Sequence, residues 1–149
     1  MKQIKVNAIK NGTVIDHITA GKVRKVLDIL HLDGTDVVMI GMNLSSNKIG
    51  KKDIIKIENK ELSEFEANSI SLIAPEATLI IIKDFDVIKK SSLKIPEYIE
   101  EIIKCPNPKC ITNEPEVISK FKLTKDEPVQ VRCVYCEKKY LIDEVEIRK

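Results

Sequence analysis

Four cysteines carry the clearest chemistry in this sequence: Cys105, Cys110, Cys133 and Cys136. Their spacing is Cys-x4-Cys, then 22 residues, then Cys-x2-Cys. Two close pairs separated by a long loop suit tetrahedral zinc, because each pair forms one turn and each turn offers two thiolates. Pro106 and Pro108 stiffen the first turn, and Cys133-Val134-Tyr135-Cys136 forms the second. Four thiolates fill the coordination shell and leave no place for water, so the expected metal is one structural zinc ion per chain. Two disulfides, four unrelated buried thiols, or an iron site with the same ligand type remain the alternatives at this stage.

The other candidates for chemistry lie in the first half. Asp16-His17 follows the apolar run Gly12-Thr13-Val14-Ile15. A carboxylate beside an imidazole can meet a ribose hydroxyl and a phosphate; it can equally be a polar strand end. Lys51-Lys52, Lys56 and Lys89-Lys90 form either a phosphate-binding cluster or a solvated face. His31, at the end of a helical stretch, is placed to interact with the helix C-terminus. No Ser/His/Asp set, glycine-rich phosphate loop or His-Glu zinc motif accompanies them. An enzyme is therefore not expected.

The elements that must hold these residues follow from periodicity. Gln3 to Lys10 alternates apolar and polar residues and reads as a strand. Residues 20–32 carry Val23, Val26, Leu27 and Leu30 at i, i+3, i+4 and i+7, the stripe of an amphipathic helix. Residues 37–44 and 53–59 read as strands. Ser63-Glu64-Phe65-Glu66 is a capping box opening a second helix that ends near Pro75, and residues 78–88 form a fourth strand. The order βαββαβ predicts a ferredoxin-like α+β domain. A polar stretch, residues 90–96, links it to the rest, so the expected domains are 1–96 and 97–149. The second opens with a short helix, about residues 97–103. It continues in strand-like runs over 117–122, 129–133, 140–142 and 145–147, a mainly β, zinc-ribbon-like unit. So short a unit buries little apolar surface and needs a staple.

Charged residues make up 32% of the chain, yet the net charge is only +2. Residues 91–149 hold 11 basic and 11 acidic side chains. That balance speaks against nucleic-acid binding unless the basic residues gather on one face. No apolar run approaches the roughly 20 residues that span a bilayer, and Met1 to Asn7 lacks the apolar stretch of a signal peptide. A cytoplasmic protein with no membrane contact is expected, and its reducing surroundings favour metal over disulfides.

Beyond these patterns, the chain resembles the regulatory chain of aspartate carbamoyltransferase. The likeness rests on Gly12-Thr13-Val14-Ile15-Asp16-His17-Ile18 and on Gly50-Lys51-Lys52-Asp53-Ile54-Ile55-Lys56-Ile57-Glu58-Asn59. It extends to Leu62-Ser63-Glu64, Ala74-Pro75-Glu76-Ala77-Thr78, Cys105-Pro106-Asn107 and Tyr135-Cys136-Glu137-Lys138. The resemblance implies a non-catalytic subunit of pyrimidine biosynthesis, with an N-terminal domain that binds CTP or ATP and a zinc domain that grips the catalytic chain. It implies a homodimer of regulatory chains within a dodecamer of two catalytic trimers and three regulatory dimers. Carried over by position, Asp16 and Lys56 would meet ribose and base, and His17 and Lys90 ribose and triphosphate. Asn7, Ala8, Ile9, Phe85 and Val87 would line the base pocket. The sequence departs from familiar members at Asn7, where an acid is common, Ile80, where an asparagine is found, and Phe85, where a tyrosine is found. Each departure alters the hydrogen bonds on offer near a nucleotide. Rival readings are a nucleic-acid-binding zinc ribbon on an α+β module and a stand-alone sensor of a small molecule such as an amino acid.

Structural zinc in such domains contributes roughly 10–16 kcal/mol, more than so small a core supplies. Complete chelation is therefore expected to unfold the chain after about residue 100 and spare the first half. Limited proteolysis checks this: a C-terminal half that keeps its protease resistance without metal would defeat the expectation.

Overall fold

The structure is a computed structural model that describes residues 8–124 and 129–147. The chain divides into two compact units, one ending at Lys94 and the other beginning at Ile95.

The first unit runs β1 (Gly12–Thr19), α1 (Val23–Leu30), β2 (Val38–Ser46), β3 (Gly50–Glu58), α2 (Glu64–Ile73), β4 (Thr78–Lys83) and β5 (Asp86–Ser92). Its five strands form one sheet in the order β2-β3-β1-β4-β5, with every neighbouring pair antiparallel. The first six of these elements in chain order give the expected βαββαβ arrangement, and β5 adds a fifth strand at the edge. Alternation along the strands makes two faces. Thr13, Ile15, Ile55 and Ile57 are buried on the face that meets the helices, together with Val23, Val26, Leu30 and Ile70. The other face carries Val14 and Ile54.

Two boundaries differ from expectation. The first strand is Gly12–Thr19; residues 8–10 lie outside any strand, and the rest of the expected 3–10 strand lies outside the described residues. Gly12 opens β1 with φ +145, and a Cβ there would stand 2.1 Å from the Ile57 carbonyl oxygen, so only glycine fits. The expected 78–88 strand folds back on itself at Asp84 and Phe85, which both take positive φ. As a result Lys90 to Ser92 belong to β5 and not to a linker.

Asp53 ties three elements together. Its buried carboxylate accepts the Gly21 and Val23 amides at 2.9 and 3.2 Å through one oxygen and the Asn43 amide at 2.8 Å through the other. Lys22, the residue at the N-cap of α1, makes no side-chain cap bond. The carboxylate on β3 does that work and favours the helix dipole. Asn43 sits with positive φ where the β2–β3 register shifts, so the same side chain fixes that irregularity. The second helix is closed by the capping box read from the sequence: Ser63 Oγ accepts from the Glu66 amide and Glu66 Oε1 accepts from the Ser63 amide.

The second unit contains β6 (Tyr98–Glu100), β7 (Ile103–Lys104), β8 (Lys120–Leu123), β9 (Gln130–Cys133), β10 (Lys139–Leu141) and β11 (Glu146–Ile147). Four of these make a sheet ordered β10-β9-β8-β6, and β11 pairs with β7. Ile99, Phe121, Val131 and Cys133 are buried on its inner side. The helix expected at 97–103 is absent. Ile99, Ile102 and Ile103 have helical spacing, but Glu101 takes φ +65 and β6 pairs with β8 instead. The strand ladder satisfies that backbone, and a lone turn of helix would not. Among the described residues, no helix is long and apolar enough to cross a membrane.

Asp53→Ala would leave the Gly21, Val23 and Asn43 amides without their acceptor. It is expected to destabilise the first unit by about 2–4 kcal/mol, read from urea midpoints, with Asp53→Asn milder. Unchanged midpoints would show that water replaces the carboxylate at no cost.

Candidate functional site

The cysteine pairs converge in the second unit. All four Sγ atoms lie within 4.8 Å of one another. Cys105 and Cys136 stand 3.8 Å apart, Cys110 and Cys133 3.6 Å. A disulfide needs about 2.05 Å, so these are four free thiols. Sulfurs at the corners of a tetrahedron about 2.3 Å from a zinc ion stand about 3.8 Å apart. The donor set and its dimensions thus fit a structural zinc, and each of the two close contacts joins one turn to the other.

The backbone builds both turns. β7 delivers Cys105, and the Cys110 amide closes the first turn on the Asn107 carbonyl at 3.0 Å. Asn113 Nδ2 donates to the same carbonyl at 2.6 Å. β9 delivers Cys133, whose carbonyl accepts the Glu137 amide at 2.9 Å and whose amide donates to the Lys138 carbonyl at 3.0 Å. Positive φ at Glu137 lets that knuckle close.

Burial pushes the Cys105 thiol up to about 12 and raises Cys133 as well. Cys136 is different. Burial opposes its ionisation too, but the Lys138 amide and the Asn107 side chain outweigh it and bring the thiol down to about 7. A dication would supply the missing compensation for the buried sulfurs. Thr112 Oγ1 lies 3.0 Å from Cys110 Sγ, close enough to donate to it as a thiolate and orient it. Neither Asn107 nor Thr112 stood out by type or spacing in the sequence; only the folded turn brings them to the sulfurs.

The first unit gathers a second set of residues on the sheet face turned away from the helices. Val14 pairs with Lys56 on one side and Ile80 on the other; Lys56 pairs with Met39, and Ile80 with Lys90. One cross-strand row therefore reads Met39, Lys56, Val14, Ile80, Lys90. Lys56 and Lys90 flank an apolar strip, separated by three strand spacings or about 14 Å. Ile9 is buried against this face with Val14 and Ile54, and Met39, Leu44, Ile80 and Ile82 pack around them. Val87 pairs with Ile82 on the same side. Phe85 is exposed in the β4–β5 turn, where its amide donates to the Lys10 carbonyl at 2.9 Å. Ala8 is exposed just ahead of β1. Asn7 lies outside the described residues.

Asp16 and His17 sit at the irregularity in the β1–β3 register. Asp16 Oδ1 is 2.8 Å from Lys52 Nζ and accepts the His17 amide at 2.7 Å. Burial disfavours the carboxylate, but Lys52 and that amide prevail and hold Asp16 below its ordinary range. His17 takes φ 55, and its Nδ1 lies 3.0 Å from Thr78 Oγ1. Burial lowers the His17 pKa; Asp16 opposes this, and Lys52, Lys48 and Lys90 add to it. His17 thus stands in the field of three lysines. Of these, Lys48 had no signal in the sequence. Strand alternation splits the expected lysine cluster: Lys52, Lys56 and Lys90 share this face, while Lys51 and Lys89 fall on the opposite side. His31 caps the end of α1 in the left-handed conformation with its side chain exposed.

Comparison with known proteins matches both units. The family model described as aspartate carbamoyltransferase regulatory chain, allosteric domain, covers residues 4–94, and the one described as its metal binding domain covers residues 97–146. A regulatory chain from Thermococcus onnurineus is 52% identical over 140 residues, 93% of this chain and 93% of that protein. One from Sulfolobus acidocaldarius is 50% identical over 149 residues, 98% of this chain and 90% of the relative. One from Methanothermobacter thermautotrophicus is 47% identical over 146 residues, with 97% and 94% covered.

Proposed function

The chain belongs to the family of aspartate carbamoyltransferase regulatory chains, a non-catalytic subunit with an allosteric and a metal-binding domain, and on that premise we propose that it binds CTP and ATP and relays them to the catalytic chains in the cytoplasm. In this reading residues 1–96 form the nucleotide domain, and residues 97–149 form the zinc domain, held by Cys105, Cys110, Cys133 and Cys136.

One observation carries the nucleotide reading: a single sheet face bears Asp16, Lys52, Lys56 and Lys90 around an apolar strip, with His17 in the field of the lysines. Lysines suit the triphosphate. Asp16 offers an acceptor for ribose hydroxyls. Ile9, Val87 and the backbone beside Phe85 offer the base an apolar wall, next to Ala8. Ile80 and Phe85, which replace an asparagine and a tyrosine, contribute bulk without a hydrogen bond, so hydrophobic contact weighs more here in choosing the effector.

Two regulatory chains pair through their nucleotide domains, and three such dimers join two catalytic trimers. The sheet has two edges. β2 exposes Ile40 and Met42, with Val37 just before it, and β5 exposes Val87 and Ile88. β5 also carries Lys89 and Lys90, charges that discourage strand pairing, and these favour β2 as the pairing edge.

A nucleotide shifts the assembly only through unequal affinity for its two states, typically about 1–3 kcal/mol of coupling. By linkage, substrate binding then changes nucleotide affinity.

Mixing the chain with catalytic trimers, followed by sedimentation and activity with and without CTP and ATP, tests the proposal. Lys90→Ala is expected to weaken CTP binding about 10- to 100-fold, the value of one charge-assisted contact, and to leave assembly intact. Cys136→Ser is expected to abolish assembly and spare nucleotide binding. A Cys136→Ser chain that assembled normally would sink the zinc half of the scheme.

His17 adds a pH dependence. Its pKa is depressed in the free chain, and an arriving triphosphate, by neutralising the lysine field, raises it. Binding then takes up a proton. Affinity is full below the free-state pKa, falls as pH rises through the window up to the bound-state pKa, and is flat above. Calorimetry across roughly pH 5 to 8 in two buffers of different ionisation enthalpy reads this uptake, and His17→Gln should flatten it. Identical profiles for both proteins would remove His17 from the site.

A further inference from the structure

We propose that Lys48 reads the terminal phosphate of a bound nucleotide and makes the outer sheet face of the first unit selective for triphosphates over mono- and diphosphates. This rests on the nucleotide reading above. It adds a residue that sequence pattern did not mark and the feature of the ligand that this residue recognises.

The face has a direction. At one end the β4–β5 turn carries Phe85, beside Ile9 and the paired Ile82 and Val87, all apolar. Cations lie further along. Alternation on β3 places Lys56, Ile54 and Lys52 on this face, in that order toward the β2–β3 hairpin. Lys56 and Lys52 are thus about 13 Å apart along the strand. Lys48 stands in the hairpin itself, between the end of β2 at Ser46 and the start of β3 at Gly50.

The hairpin is built to hold that lysine. Ser46 Oγ accepts the Lys48 and Ile49 amides at 3.3 and 3.4 Å, and the Lys51 amide donates to the Ile49 carbonyl at 3.0 Å. Lys48 Nζ then reaches past the end of β1 to the chain ahead of β4, where it donates to the Glu76 carbonyl at 3.2 Å. Two residues on, Thr78 Oγ1 meets His17 Nδ1 at 3.0 Å. The ammonium and the imidazole are therefore held by the same short segment, residues 76–78. Burial and then the charges of Lys52, Lys48 and Lys90 disfavour protonated His17, against Asp16. Lys48 thus lies within electrostatic reach of the imidazole.

Lys48 differs from its neighbour Lys52 in what it touches. Lys52 is paired with the Asp16 carboxylate at 2.8 Å, whereas the partner of Lys48 is a neutral carbonyl. An ammonium on a carbonyl keeps its charge, and a phosphate oxygen is the stronger acceptor for it. Position does the rest. A nucleotide with its base at the apolar end carries its phosphates toward the hairpin, past Lys90 and His17. Lys48 comes last on that line. A monophosphate ends short of it and a triphosphate reaches it. A terminal phosphate bears charge that inner phosphates lack, and a compact ammonium on a flexible stem suits it.

The test is calorimetry on the full zinc-loaded chain with CTP, CDP and CMP and, in parallel, ATP, ADP and AMP. Wild type is expected to bind more tightly with each added phosphate. Lys48→Gln is expected to lose about tenfold in triphosphate affinity, the value of one charge-assisted contact, and to bind the monophosphate as wild type does. Lys48→Arg, which keeps the charge, is expected to recover most of the loss. The quantity compared is the ratio of triphosphate to monophosphate affinity within each protein, which a change in folding does not move. Equal losses for all three phosphate lengths would show that Lys48 acts only through the general field, and would overturn the inference. An unchanged ladder in Lys48→Gln would overturn it too. Either result leaves the nucleotide reading standing, because wild type still binds. A wild type that bound no nucleotide of either series would overturn both.

Discussion

Four sulfurs share one small space in which burial works against the ionisation of Cys105 and Cys133, and the second unit is organised around the cation that would offset it. Its strands are two to four residues long, too short to bury much apolar area each. What they do instead is aim. β7 and β9 each deliver one cysteine, and the turns after them deliver the other two. Thr112 and Asn107 then orient sulfurs that the strands have already placed. Burial raises Cys105 and Cys133 in the absence of compensation, so the metal both neutralises and cross-links. Remove it and the same burial that protects the site becomes a reason to open.

The first unit solves a different problem with a different device. It buries enough isoleucine and valine to stand as a sheet with two helices, and its charged residues are spent on position. Asp53 is the plainest case: fully buried, it accepts two amides at the start of α1 and a third from β2, and caps a helix whose N-cap residue makes no side-chain cap bond. Asp16, by contrast, is partly buried and paired with Lys52. Two aspartates on neighbouring strands thus do opposite work, one closing the interior and one facing outward.

Some of this was legible in the sequence. The thiol spacing announced the metal, because a ligand pattern is local and needs no tertiary context. The capping box at Ser63 and Glu66 was legible for the same reason. The helix expected over 97–103 failed because Ile99, Ile102 and Ile103 keep helical spacing while pairing with β8 decides the backbone. The strand Gly12–Thr19 was only partly legible, because Val14-Ile15 and Asp16-His17 break the alternation that marks a half-buried strand, and most of the expected strand over 3–10 lies outside the described residues. The sorting of lysines between faces follows from strand alternation, but the expected strands began at 53 and ended at 88, so Lys51, Lys52, Lys89 and Lys90 were not read as strand residues. Lys51 and Lys52 look alike in a sequence and face opposite ways in a sheet.

The row Met39, Lys56, Val14, Ile80 and Lys90 draws one residue from each of five strands. Its backbone hydrogen bonds do not depend on which side chain occupies a crossing, so a substitution there rewrites one point on the face and leaves its neighbours in place. Ile80 is such a point. A surface assembled this way is evolvable one position at a time: lineages can retune what it recognises through single replacements, without passing through an unfolded ancestor. The metal centre has no such freedom, because each of its four corners is indispensable to the other three. The two halves of this chain are therefore expected to change at different tempos, the outer sheet face drifting while the four cysteines stay fixed.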